Sequence, residues 1–96
     1  MATIEVKQTT DGDPMQLEVT VTDGRGSSRH AVTMRRATLE RLTGGAHSAE
    51  ACVGAAFRFL LDREPRDAIL GQFDVAVISD YFPEFEARLP DYLAGA

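Results

Sequence analysis

The sequence is poor in the residues from which several common kinds of site are built. Its 96 residues include one cysteine, two histidines and no tryptophan. A lone cysteine excludes a disulfide within the chain and a zinc site made of several cysteines, and it is typical of a reducing compartment. Lysine occurs once, so nine of the ten basic residues are arginine. This preference, together with abundant alanine, indicates a bacterial chain from a GC-rich genome.

Long apolar runs are absent as well. No stretch approaches the ~20 apolar residues needed to cross a bilayer, and MATIEVKQTT has no basic segment followed by an apolar one. We therefore expect a cytoplasmic protein that has no membrane partner. The composition, 44% hydrophobic and 26% charged, is ordinary for a folded protein. At this length the sequence predicts one globular domain, residues 1–96, with a modest core.

Charge is distributed unevenly along the chain. Residues 24–47 carry five arginines against one glutamate, whereas residues 1–23 and 62–96 are acidic, and the net charge is −5. A basic middle and acidic ends can pair within one subunit or between two. The arginines that could contact a polyanion are Arg25, Arg29, Arg35, Arg36 and Arg41. Because the acidic ends oppose such a ligand, we do not expect nucleic acid as the main partner.

Alternation of apolar and polar residues predicts a small sheet in the first third of the chain. The alternation covers residues 3–9 and, most clearly, 15–22, and it returns in residues 29–34. Residues 11–14 have the composition of a turn, and residues 23–28 that of a loop. We predict an antiparallel meander of two or three strands.

Helical spacing replaces the alternation after residue 34. A short helix is predicted over residues 37–43 and the main helix over about 49–63, where apolar residues recur at i, i+3, i+4, i+7 and i+8. Further short helices are predicted over residues 65–72 and from Pro83, the last one interrupted at Pro90.

Residues 74–79 fit two structures. Four consecutive apolar residues, some of them β-branched, favour a strand that is covered on both faces, and a helical continuation also fits. All seven aromatic residues lie between positions 57 and 92, so we expect the helical half to pack across one face of the aliphatic meander. The predicted class is α+β. The meander packs against the main helix and the short C-terminal helices, and residues near 74–79 form a further strand in one version of this prediction.

Motifs that could carry chemistry are incomplete. His47 and Cys52 would point about 140° apart on a helix, and His30 is expected to be a satisfied core or edge histidine. Residues 11–13 begin like a calcium loop but lack the later ligands, and residues 24–26 lack the helix of a phosphate cradle. We therefore predict no catalytic residue, no metal site and no cofactor.

The segment Ile78–Glu86, ISDYFPEFE, is the most distinctive in the chain. A junction that leads into a helix near Pro83 accounts for its phenylalanines and glutamates. Asp80 and Tyr81 are left without an explanation, and we predict that they form an interaction surface.

Residues 57–85, FRFLLDREPRDAILGQFDVAVISDYFPEF, resemble a segment of small uncharacterised bacterial proteins that also begin with a short strand meander. The markers are R-E-P after the main helix, I-L…F-D, and Y-F-P-E-F. The resemblance covers roughly the last two fifths of the chain closely. It implies no activity and no functional residues, because none is assigned to those proteins.

The leading hypothesis is a non-enzymatic cytoplasmic module that acts through protein contacts, as a homodimer or as a small adaptor for another protein. The alternative is a regulatory nucleic-acid-binding protein that uses the basic segment Arg25–Arg41. A small enzyme or ligand carrier, with a pocket between the sheet and the helices, is the third hypothesis.

Overall fold

The computed structural model describes residues 2–94, so the predicted domain limits at residues 1 and 96 lie outside the described part. The elements are β1 Thr3–Thr10, β2 Met15–Asp23, β3 Gly26–Met34, α1 Arg36–Thr43, α2 Ala49–Leu61, β4 Gln72–Asp74, α3 Ile78–Tyr81 and α4 Phe85–Ala94. The 3₁₀ turns Arg66–Ala68 and Val75–Val77 precede β4 and α3. The predicted α+β class is confirmed. None of the helices described is long and apolar enough to cross a membrane.

The first three strands form the predicted antiparallel meander, in the sheet order β1-β2-β3-β4. The β2–β3 turn is shorter than predicted, because β3 begins at Gly26 and only two residues, Gly24 and Arg25, connect the strands. The Asp23 carboxylate accepts the backbone N–H of Arg25 at 2.8 Å, which closes the turn locally. The prediction of a loop over residues 23–28 is therefore wrong for its second half.

The fourth strand lies earlier than the optional strand at 74–79. Gln72–Asp74 pairs in parallel with β3, and the following residues are helical. Asp74 ends the strand because its carboxylate accepts the N–H of Ala76 at 2.9 Å and caps the 3₁₀ turn. Val75 and Ile78, three positions apart, are both buried, so the apolar run packs as a helix.

The main helix is confirmed as Ala49–Leu61, and its amino terminus is capped by the Ser48 hydroxyl, which accepts the N–H of Ala51 at 3.1 Å. The helix predicted over residues 65–72 is wrong, since only the turn Arg66–Ala68 is helical. Ile69 is extended and buried, and the Gly71 carbonyl then accepts a backbone hydrogen bond from β3 at 2.8 Å. Sheet pairing thus replaces helix formation here.

Pro90 does not interrupt the last helix, contrary to the prediction. It lies inside α4, which continues to Ala94. Leu89 and Leu93, on one face of that helix, are both buried. Packing of this face offsets the ~3 kcal/mol that an interior proline costs a helix.

Helix α2 occupies the middle of the molecule, with the sheet on one side and α4 on the other. Toward the sheet, the Phe57 ring lies 5.3 Å from the His30 ring and 5.9 Å from the Phe73 ring, between centroids. Toward α4, Phe59 contacts the rings of three aromatic residues, Phe82, Phe85 and Tyr92. The aromatic half of the chain therefore packs across one face of the sheet through α2, as predicted.

Candidate functional site

An apolar groove opens between the carboxyl-terminal end of α2 and the segment that carries β4 and α3. Its volume is about 290 Å³. Buried side chains of Leu60, Ile69 and Ile78 line its depth, and Phe73 and Val77 line it further out. Its other lining residues are Glu64, Ala68, Leu70, Tyr81 and Phe82. We call this surface the groove.

Two large apolar side chains stand exposed at the groove. Leu70 is 48% exposed and Tyr81 is 66% exposed, and no other large apolar side chain of the described residues is exposed. Single exposed apolar residues are ordinary in folded proteins. Here, however, the two lie on the same concave surface. A bound partner would remove both from water at once.

Leu70 is exposed because the backbone is extended at Ile69, whose own side chain is buried, and successive side chains of an extended chain point to opposite sides. A buried histidine holds this stretch in place. The His30 ring donates from Nδ1 to the Leu70 carbonyl oxygen at 2.7 Å, and its Nε2 accepts from the Ser28 hydroxyl at 2.8 Å. The prediction of a satisfied core or edge histidine at position 30 is confirmed, and His30 is buried in the core.

Tyr81 is the last residue of α3 and lies one turn after the buried Ile78, on the same side of the helix. Asp80 is exposed beside it and does not line the groove. Of the two residues predicted as an interaction surface, the structure thus brings Tyr81 to the groove and leaves Asp80 at its margin.

One acidic residue lines the groove, and two others adjoin its lining residues in the sequence. Glu64 lines it, while Asp67 and Asp80 are sequence neighbours of the lining residues Ala68 and Tyr81. None of the three carboxylates takes part in an ion pair within residues 2–94. Among residues 2–94, no arginine or lysine lines the groove. The groove therefore combines apolar walls with one lining carboxylate, that of Glu64, and with Asp80 next to its lining residue Tyr81.

The two arginines nearest in sequence are already paired with other acids. Arg66 donates from Nε to the Asp23 carboxylate at 3.1 Å. The backbone N–H of Arg25 and this guanidinium together hold the pKa of Asp23 below its ordinary value. Arg63 donates from Nε to the Glu84 carboxylate at 3.0 Å, and these charges are therefore not available to neutralise the groove.

Arg63 also ties the α3–α4 junction to α2. Its guanidinium lies over the Phe59 ring, 3.6 Å from the centroid, and donates to the Tyr92 hydroxyl at 3.4 Å. The backbone N–H of Glu84 and the Arg63 side chain lower the pKa of the Glu84 carboxyl. Glu84 and Glu86 are predicted to lie near the start of a helix. In the structure Glu84 directly precedes α4 and Glu86 lies in its first turn.

The five arginines of the basic segment do not converge. Arg25 lies in the β2–β3 turn and Arg35 follows the other end of β3, and the two ends of this strand are about 26 Å apart at ~3.3 Å per residue. Arg29 lies between them on the solvent face of β3. Two others pair with the acidic ends of the same chain, Arg36 with Asp11 at 3.2 Å and Arg41 with Glu86 at 3.1 Å. This arrangement gives the nucleic-acid alternative no compact basic surface.

The remaining motifs lie apart from the groove. Cys52 is fully buried in α2, and burial raises the pKa of its thiol to about 11. Asp13, in the segment that begins like a calcium loop, accepts the N–H of Arg36 at 3.1 Å. Within the described residues, no three His, Cys, Asp or Glu side chains come together in a way that could hold a metal ion.

Comparison of the chain with models of protein families, with curated proteins and with solved structures found no match. The resemblance of residues 57–85 to small bacterial proteins stays a prediction. Function is therefore inferred from the groove itself.

Proposed function

We propose that this protein is a non-enzymatic interaction module that binds an apolar segment of another protein in the groove. The observation that carries the proposal is the convergence on one concave surface of Leu70 and Tyr81, the two large apolar side chains that are exposed within residues 2–94. Tyrosine is among the residues enriched at the energetic centres of protein interfaces. The lone buried thiol of Cys52 supports the cytoplasm as the compartment.

The charges around the groove define the chemistry of the partner. Apolar walls favour one or two large apolar side chains, and the acids Glu64, which lines the groove, and Asp80, next to its lining residue Tyr81, favour lysine or arginine beside them. A volume of about 290 Å³ lies just below the ~300–1,000 Å³ of typical small-molecule sites. The occupant that fits best is therefore a short apolar stretch of a partner protein, flanked by basic residues.

The expected energetic contribution of the two exposed residues can be bounded. Complete burial of a large apolar side chain contributes roughly 1.5–3 kcal/mol relative to full exposure. Leu70 and Tyr81 are about half and two thirds exposed, so about 0.7–1.4 kcal/mol is left to gain at Leu70 and about 1–2 kcal/mol at Tyr81. Truncation should accordingly weaken binding about threefold to tenfold at Leu70 and about fivefold to thirtyfold at Tyr81.

A displayed library of random peptides tests this proposal and does not require the partner to be identified first. The wild-type protein and the double variant Leu70→Ser/Tyr81→Ser are used as parallel targets. Arg29→Ser, which changes an exposed residue on the solvent face of β3, is the matched control. Circular dichroism and thermal unfolding establish that all three proteins are folded.

We expect the wild type and Arg29→Ser to enrich peptides with large apolar residues flanked by lysine or arginine, and the double variant to enrich none of them. Replacement of the flanking basic residues by glutamate should abolish binding. Peptides that bind the double variant as tightly as the wild type would refute the groove as the binding surface. Failure of the wild type to enrich any peptide would refute the proposed function.

A further inference from the structure

The outer edge of β1 is the long unpaired edge of the sheet. Within residues 2–94, β1 has eight residues and pairs with β2 alone. The opposite edge is β4, which has only three residues. The start of β3, which β4 does not cover, has the Arg66 side chain next to it at Gly26. A strand edge with free N–H and C=O groups is a template on which another strand can pair.

The backbone groups that point outward from β1 can be assigned. The N–H of Gln8 donates to the Glu50 carboxylate of α2 at 2.9 Å, away from β2. Because hydrogen-bonding direction alternates along a strand, Ile4 and Val6 also direct their N–H and C=O groups outward. Their side chains lie on the core face and are half-buried. Glu5 and Lys7, in contrast, project from the solvent face, and neither has an ion pair in the described residues.

We propose that β1 pairs antiparallel with β1 of a second copy of this chain, about a two-fold axis at Val6. In this register, the Val6 N–H of each copy donates to the partner's Val6 carbonyl. The Ile4 N–H donates to the partner's Gln8 carbonyl, and the Gln8 N–H donates to the partner's Ile4 carbonyl, which takes the place of the exposed Glu50 carboxylate at that N–H. The two four-stranded sheets then become one sheet of eight strands.

Charge complementarity selects this register. With the axis at Val6, Glu5 of each copy lies opposite the partner's Lys7 on the solvent face, and both oppositely charged pairs form at once. A shift of the axis by one residue places Glu5 opposite Glu5 or Lys7 opposite Lys7, and like charges directly opposite destabilise a strand pair. The short sequence Glu5-Val6-Lys7 is thus self-complementary about its centre, as an isologous two-fold contact requires.

Pairing through β1 does not depend on the groove. The groove includes Phe73 of β4, at the opposite edge of the sheet, so a dimer joined at β1 leaves both grooves open. If the proposed function also holds, the dimer presents two grooves and binds a partner with two apolar segments more tightly than a partner with one. The dimer itself is tested without any ligand.

The test is a charge exchange measured by sedimentation equilibrium from low to high micromolar protein. Glu5→Lys places two lysines opposite each other across the axis, and Lys7→Glu places two glutamates there, so both variants lose the two complementary pairs. The double variant Glu5→Lys/Lys7→Glu restores opposite charges across the axis and keeps the net charge of −5. Thermal unfolding in the same buffer measures how much each substitution destabilises the single subunit. Such a loss is expected for Lys7→Glu, because Glu18 of β2 lies opposite position 7.

We expect the wild type to dimerise, each single variant to dissociate with a Kd about tenfold higher or more, and the double variant to recover to within about threefold of the wild type. Amide hydrogen exchange gives a second measurement without mutation. Exchange at Ile4 and Val6 should slow as protein concentration rises, while exchange of the exposed turn residue Arg25 stays constant. A wild-type monomer throughout the range, single variants that dimerise like the wild type, or a double variant that remains weak would overturn the proposal.

Discussion

Phe59 is the residue that most directly holds the C-terminal segment against α2. Its side chain is fully buried. Its ring lies 5.0 Å from Phe85 and 5.8 Å from both Phe82 and Tyr92, between centroids. The Arg63 guanidinium covers it at 3.6 Å from the centroid. Substitution of this one residue therefore tests the packing that positions α3, α4 and the groove.

The expected cost of Phe59→Ala follows from these contacts. Truncation of a buried phenylalanine to alanine costs about 3–5 kcal/mol. Aromatic pairs add about 0.5–1.5 kcal/mol each beyond area, so three such pairs favour the upper part of that range. Domains of this size are stable by about 5–15 kcal/mol in total. At about 4–8 °C per kcal/mol, we expect the Tm of Phe59→Ala to fall by at least about 12 °C.

Urea denaturation followed by far-ultraviolet circular dichroism measures this change in the free energy of unfolding. Phe59→Leu, which keeps most of the apolar volume, is the matched control and should cost less than about 2 kcal/mol. Tyr81→Ala, at a residue that is mostly exposed, should cost less than about 1 kcal/mol. The proposed packing role is refuted if Phe59→Ala costs less than about 1 kcal/mol, or if Tyr81→Ala costs as much as Phe59→Ala.

Two further predictions concern titration and reactivity. The folded-state pKa of Asp23 lies below its ordinary value of 3.8, so its contribution to stability is present above that pH and is lost as the pH falls through the folded pKa. In urea titrations at decreasing pH, Asp23→Asn should lose less stability than the wild type below about pH 4, and equal losses would count against the hydrogen bonds that the Asp23 carboxylate accepts from the Arg25 N–H and from Arg66. Burial raises the pKa of the Cys52 thiol to about 11, so a disulfide reagent at about pH 8 should react at least a hundredfold more slowly with the native than with the urea-unfolded protein. Rapid reaction of the native thiol with one equivalent of reagent would contradict that burial.

The sequence was sufficient to predict the meander and the main helix because local periodicity and caps determine both. Strict alternation from Met15 to Thr22 defines β2, and Ser48 defines the start of α2. Local sequence does not determine the structure of residues 74–79. Asp74 ends β4 because its carboxylate caps the next 3₁₀ turn and also accepts a hydrogen bond at 2.7 Å from the hydroxyl of Thr33, which is distant in the sequence. The continuation of α4 through Pro90 likewise depends on tertiary packing.

The groove could be predicted only in part for the same reason. Tyr81 stood out because the helix junction at Pro83 left it without a structural role. Leu70 carried no such signal, because its exposure depends on the burial of Ile69 and on the hydrogen bond between the Leu70 carbonyl and His30 of β3. The concave surface appears only when Gln72–Asp74 pairs with β3, which no local pattern encodes.

The measurement that tests the central claim most directly is isotope-filtered NMR of the protein with a peptide selected from the displayed library. We predict intermolecular contacts between the apolar side chains of the peptide and the methyl groups of Leu70, the methyl groups of Val77 and the ring of Tyr81, all of which line the groove. The same peptide should show no such contacts with the Leu70→Ser/Tyr81→Ser variant. Contacts confined to the solvent face of the sheet, around Arg29, would contradict the assignment of the groove as the binding surface.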